Sequence, residues 1–116
     1  MHIYKKMPDL QENSTDQEVS MIIKLMTLNC WGLYGVSKFR TQRMEAIGNF
    51  VADSNFDMVV LQEVWCQEDF DRIQKLSQQN FPHSHYFDYG IVGTGICIFT
   101  KVSFYSLQWF TETSKY

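Results

Sequence analysis

With 116 residues, 45% of them hydrophobic and 16% aromatic, the chain has material for one packed domain, which excludes wholesale disorder and leaves little room for a second domain. A formal charge of −3 excludes the basic footprint of a nucleic-acid binder, so a polyanion would have to be met by local charges or a bound cation. Cys30, Cys66 and Cys97 stand far apart without a Cys-x-x-Cys pair, which fits neither a zinc site nor a disulfide framework and makes a reducing, intracellular setting the default.

No run approaches the ~20 apolar residues of a membrane span, and the first residues lack the apolar core of a signal peptide. Residues 1–20 are polar and mixed in charge, with no helical or strand period, and read as a flexible N-terminal tail ahead of a domain at 21–116. Asn13-Ser14-Thr15 matches a glycosylation acceptor, but without a secretory signal the match carries no weight. Met21 opens the first structured segment and is also a candidate internal start.

Residues 22–30 alternate loosely, with Ile23, Leu25, Thr27 and Asn29 on one side and Ile22, Lys24, Met26, Leu28 and Cys30 on the other, which predicts a strand. Its tip is polar, at Asn29. Ser37 is placed as the cap of a helix that carries Phe39, Met44, Ile47, Phe50 and Val51 near helical spacing and ends at Asp53-Ser54-Asn55. The run Met58-Val59-Val60-Leu61 then predicts a short strand covered on both faces.

That second strand also ends on polar residues, Gln62-Glu63. A carboxylate at the edge of a core either points to solvent, pairs with an arginine, or holds a metal ion, because a desolvated charge needs a partner. Asn29 likewise has an ordinary reading as a residue that ends a strand and turns. Two strands joined by one helix are most simply parallel neighbours, and that topology brings Asn29 and Glu63 to the same end of the sheet as one candidate site.

Residues 67–79 put Phe70, Ile73 and Leu76 on one stripe, with Glu68, Asp69, Asp71, Arg72 and Lys75 expected on a solvated face. Phe81-Pro82 stops this helix, and His83 to Phe87 reads as an extended piece. Histidines two apart on a strand can share a metal, but here no Cys, Asp or Glu stands at ligand spacing. The glycines of Gly90-Ile91-Val92-Gly93-Thr94-Gly95 lack the Lys-Ser or Lys-Thr and the following helix of a phosphate loop, so they connect strands. Ile96 to Phe99 is the next strand, ended by Lys101, and residues 102–110 are expected to continue as another.

The elements Leu28-Asn29-Cys30-Trp31-Gly32, Ser37-Lys38 with Arg40, Arg43 and Met44, Gln62-Glu63-Val64-Trp65 with Asp69-Phe70, Gly90 to Cys97, and Phe99-Thr100-Lys101 resemble, in order and spacing, the magnesium-dependent neutral sphingomyelinases of the endonuclease/exonuclease/phosphatase superfamily. The resemblance runs from about Leu25 to Lys101. It implies an α+β fold, here part of a four-layer α/β sandwich of mixed β-sheets flanked by helices. It also implies that Glu63 is a ligand of Mg²⁺ and that Asn29 lies beside the metal and helps hold the phosphate.

The implied reaction is hydrolysis of sphingomyelin to ceramide and phosphocholine, with sphingomyelin or a related choline phospholipid at a membrane surface as partner and no nucleic acid. The later motifs of the family, including its catalytic histidines and general base, have no counterpart here, and His2, His83 and His85 do not fall in those positions. The chain is therefore expected to be the N-terminal portion of such an enzyme, inactive alone, lacking the C-terminal half of its domain, and intracellular and membrane-associated in full-length form. The competing readings are a non-catalytic truncated product or binding module, and a superfamily phosphodiesterase or phosphatase acting on another phosphate ester.

Overall fold

The structure is a computed structural model that describes residues 2–8, 20–88 and 94–105. Strand β1 (His2–Pro8) is followed by β2 (Ser20–Asn29), helix α1 (Arg40–Asp53), β3 (Met58–Gln62), α2 (Gln67–Ser77), β4 (His83–Phe87) and β5 (Ile96–Thr100). The strands form one mixed sheet in the order β1-β2-β3-β5-β4. Among the described residues β2 and β3 run parallel, in the register Leu25↔Met58 to Asn29↔Gln62, and the other three pairs are antiparallel. The α+β class and the strand–helix–strand unit follow the sequence reading.

The register is pinned at the edge remote from the strand tips. Asp57 accepts a hydrogen bond at its carboxylate from the Lys24 amide (2.8 Å), donates its own amide to the Lys24 carbonyl (2.8 Å), and accepts the Lys101 amide (3.0 Å). A single acidic residue thus ties the entry of β3 to both neighbouring strands. A slip by one residue would turn Val59 and Leu61 away from the core.

Both helices lie on the face that carries Met26, Val59, Leu61, Cys97 and Phe99, where Met44 and Val51 of α1 and Phe70 and Ile73 of α2 complete one buried cluster with Val64 and Phe81. Full burial of each large aliphatic or aromatic side chain contributes roughly 1.5–3 kcal/mol, so this face accounts for most of the apolar stabilisation. Gly48 lets the helices close, since a Cβ there would lie 2.7 Å from Leu76 Cδ1. Asn80 then ties the end of α2 to that of α1, donating to the Ala52 (3.0 Å) and Ser54 (2.9 Å) carbonyls.

Several expectations need correction. Strand β3 is covered on one face only among the described residues: Val59 and Leu61 are fully buried while Met58 and Val60 are half-buried, because both helices pack on the same side. The described residues make two layers, one mixed sheet and one layer of helices. Residues 2–8, read as tail, pair with β2 as an edge strand, so the free edge of a neighbour decides their structure and not their own weak pattern; residues 9–19 lie outside the described residues.

Ser37 does not cap α1. The helix starts at Arg40 behind Phe39, which has a left-handed backbone (φ 53°) and gives no side-chain cap, while Ser37 bonds back to the Leu33 carbonyl through its amide (3.1 Å) and hydroxyl (2.7 Å). Phe50 is exposed. Asp69 is buried, not solvated, because Arg40 reaches it from α1. Val102 to Tyr105 does not extend β5, since the chain bends after Thr100 and turns helical at Phe104; the rest of the expected strand lies outside the described residues. No helix among the described residues is long and apolar enough to cross a membrane.

Candidate functional site

The parallel pairing of β2 and β3 sets Asn29 opposite Gln62, so Asn29 and Glu63 leave the sheet at the same end. Beyond the strands the two chains remain joined. The Cys30 amide donates to the Gln62 carbonyl and the Gly32 amide to the Glu63 carbonyl, both at 2.8 Å. Gly32 is required by this approach: a Cβ there would overlap the Glu63 carbonyl oxygen and sit 2.9 Å from Met44 Cε. The start of β5 borders the same rim, where the Val64 amide donates to the Gly95 carbonyl (2.9 Å).

Two residues at this mouth hold left-handed backbones without being glycine, Trp31 (φ 46°) and Glu63 (φ 58°). Each such conformation costs about 1–2 kcal/mol for an L-residue, and strain of this kind concentrates where a side chain must be aimed. The Asn29 Oδ1 accepts the Trp31 amide at 3.0 Å, which fixes the asparagine rotamer and leaves its Nδ2 without a partner among the described residues. The Glu63 carboxylate is half-buried and makes no hydrogen bond or ion pair among the described residues. Of the three ordinary outcomes for that carboxylate, pairing with arginine is therefore not the one adopted.

Arg43, which has no assigned role in the sequence reading, holds the mouth from below. Its guanidinium donates to the Cys30 (3.1 Å), Trp31 (2.7 Å) and Lys38 (3.1 Å) carbonyls and lies 5.0 Å from the Trp31 ring centroid. The signal for it in the sequence is the lack of any Asp or Glu from Cys30 to Met44, which leaves its charge to carbonyl oxygens. Burial pushes the Cys30 thiol up to about 12, with Arg43 opposing and Asp69 and Glu63 reinforcing the shift. Cys30 is thus a packed hydrophobe, not a nucleophile.

His83 and His85 do not form a metal site. Both rings stand edge-on to Phe104, at 6.5 and 6.4 Å between centroids, and no group of three or more His, Cys, Asp or Glu able to hold a metal occurs among the described residues. His2 belongs to β1, where it pairs with Met26. What the mouth offers is one carboxylate and one amide. That donor set suits a hard cation that keeps most of its waters and shares a phosphate, as Mg²⁺ does, and does not suit zinc.

Comparison with known proteins places this geometry in a family. The chain is 38% identical over 82 residues to sphingomyelin phosphodiesterase 2 of Homo sapiens, an alignment that covers 71% of this chain and 19% of that protein. It is 40% identical over 79 residues to an inositol phosphosphingolipids phospholipase C of Schizosaccharomyces pombe, covering 68% and 19%. The chain thus spans about a fifth of the length of these relatives.

Among solved structures, a β-hairpin deletion mutant of beta toxin from Staphylococcus aureus superposes with a TM-score of 0.51 at 16% identity, over 68% of this chain and 35% of that one, a likeness of fold. The model of the endonuclease/exonuclease/phosphatase family matches residues 26–113. That match takes in the end of β2, the whole of β3, both helices and the rim that carries Asn29 and Glu63, and the chain belongs to the endonuclease/exonuclease/phosphatase family.

Proposed function

We propose that this chain supplies the metal-and-phosphate mouth of a phosphodiesterase that cleaves sphingolipids, with sphingomyelin as the substrate class and ceramide and phosphocholine as products. The observation that carries the reading is the Glu63 carboxylate, without a partner among the described residues and held in a left-handed backbone beside Asn29 at the shared end of two parallel strands. The names of the relatives add the sphingolipid. In the reaction the oxygen of water bonds to phosphorus, the bond from phosphorus to the ceramide oxygen breaks, and that oxygen leaves with a proton.

Glu63 provides an anionic oxygen ligand for Mg²⁺, and the Asn29 Nδ2 donates to a phosphate oxygen. When bound, the cation offsets the negative charge that gathers on the phosphoryl oxygens. Glu63 as a ligand is not available as a proton acceptor, and an amide is not basic, so these two residues bind and orient without activating water. We assign that activation to neither of them nor to any other described residue of the mouth, and expect sphingomyelin hydrolysis by the 116-residue chain alone to stay at background.

A ligand that binds only the folded state raises its stability, by about 2.7 kcal/mol at a hundredfold excess over its dissociation constant. Mg²⁺ should therefore raise the melting temperature of the chain and leave that of Glu63→Gln unmoved. Equal shifts in the two proteins would refute Glu63 as ligand. In a longer polypeptide that contains these elements and hydrolyses sphingomyelin, the same substitution should lower the rate at least about a hundredfold; retained Mg²⁺-dependent turnover would overturn the assignment.

A further inference from the structure

The segment between β2 and α1 buries little of its apolar surface yet has a fixed shape. Trp31, Leu33, Tyr34, Val36 and Phe39 are 49%, 44%, 72%, 65% and 72% exposed. Single apolar side chains at a surface need no explanation, whereas a contiguous group of them does. The group is held outward. Arg43 binds three carbonyls of the segment, Ser37 closes it onto Leu33, and Arg40 lies 4.8 Å from the Tyr34 ring centroid while its guanidinium is anchored on Asp69.

The charge of the segment points to its partner. From Cys30 to Met44 the sequence has Lys38, Arg40 and Arg43 and no carboxylate, in a chain of net charge −3. Asp69 balances Arg40, so Lys38 and Arg43 remain as local positive charges. Trp and Tyr mixed with branched aliphatics and flanked by Lys and Arg is the composition that settles at a membrane interface, where the rings sit at headgroup level and the cations meet lipid phosphate.

We propose that the loop at 31–39 docks on a phospholipid bilayer, placing its apolar side chains at the boundary of headgroups and acyl chains with Lys38 against anionic lipid. The inference deepens the phosphodiesterase reading and rests on it for its purpose. Asn29 accepts the Trp31 amide and Glu63 accepts the Gly32 amide, so a docked loop holds the mouth at the surface where a lipid phosphodiester lies.

The test is co-sedimentation of the 116-residue chain with vesicles of phosphatidylcholine and with vesicles that also contain phosphatidylserine, alongside its Mg²⁺-dependent melting shift. The wild type should bind both, more tightly with phosphatidylserine. The variant Leu33→Ser/Tyr34→Ser/Val36→Ser/Phe39→Asn should lose binding by at least about tenfold while its far-ultraviolet circular dichroism and its Mg²⁺ response stay as in the wild type. Ile96→Ser, on the face of the sheet away from the helices, should bind as the wild type does.

Absence of wild-type binding, equal binding by the loop variant, loss confined to Ile96→Ser, or a lipid-free self-association removed by the loop substitutions would each overturn the proposal. Vesicle binding with no Mg²⁺ response would instead uphold the docking surface and count against the phosphodiesterase reading alone.

Discussion

Removing the Arg40 guanidinium tests how the mouth is fastened to the rest of the domain. Asp69 is 1% exposed; its Oδ2 accepts from Arg40 at 2.6 Å, Arg72 stands 4.0 Å from its Oδ1, and that second oxygen is buried without a hydrogen bond. Breaking a buried pair from one side costs about 3–5 kcal/mol because the remaining charge has no partner. The lower end applies here, since Arg40 is itself 15% exposed and Arg72 remains nearby. Arg40→Ala should therefore cost about 3 kcal/mol at neutral pH, a fall of roughly 12 °C in Tm at this chain length.

The pH dependence fixes the cause. Burial raises the Asp69 carboxyl above its ordinary value, with Arg40 opposing that shift. A raised folded-state pKa gives stability below the unfolded value of 3.8 that is lost as pH rises through the folded value. Without Arg40 the raised value climbs further, so the deficit of the variant should be largest near neutrality and shrink as the pH is lowered toward that value. Adding Asp69→Asn should recover most of the loss. Thermal melts of wild type, single and double variants across pH decide the matter: a deficit below about 1 kcal/mol, or one that does not change with pH, would refute the account.

Gly32→Ala should lower stability by about 2 kcal/mol, read as a shift of the urea midpoint, because the new methyl displaces the Glu63 carbonyl and the bond it accepts; an unchanged midpoint would mean the two strand exits are not in contact. Glu63→Asn should raise stability by roughly 1 kcal/mol, since asparagine tolerates the left-handed backbone better than glutamate, while abolishing the Mg²⁺-induced rise in Tm. In the native protein a thiol reagent at mildly alkaline pH should label Cys66, half-buried before α2, well ahead of buried Cys30 and Cys97; fast labelling of either would contradict their burial. Burial pushes both thiols up from 9.0, Cys30 to about 12 and Cys97 further. The unfolded chain thus ionises first, and stability should fall as pH rises above 9.0 and through the folded value of Cys30, a decline that Cys30→Ala should lessen.

The strand–helix–strand unit is legible because each apolar run exceeds what a loop would carry and the connection has only one simple topology. The same reasoning brings Asn29 and Glu63 together before any coordinate is known. Asp69 is harder. It stands four residues before Ile73 and eight before Ser77, so its spacing belongs to the buried stripe, but its charge argues for solvent and its partner Arg40 is 29 residues away. Long-range pairing of this kind leaves no local trace. β1 is a similar case, since an edge strand is formed by the open hydrogen bonds of its neighbour as much as by its own residues.

Least legible is the backbone of the mouth. Trp31, Phe39 and Glu63 all take left-handed conformations where glycine or asparagine would be the local choice, and a bulky side chain in that region is not predicted by any propensity. The chain is not short of glycine here, for Gly32 and Gly35 lie between the first two. Strain therefore sits on the residues that carry side chains: a tryptophan whose amide orients Asn29, a phenylalanine exposed beside the helix start, and a glutamate without a partner among the described residues. A sequence selected for stability alone would move each of the three to glycine or asparagine and lose about 1 kcal/mol of strain at each. Strain held on side-chain-bearing residues is what the proposed reading requires, in which the Glu63 carboxylate and the exposed aromatic loop form one functional edge.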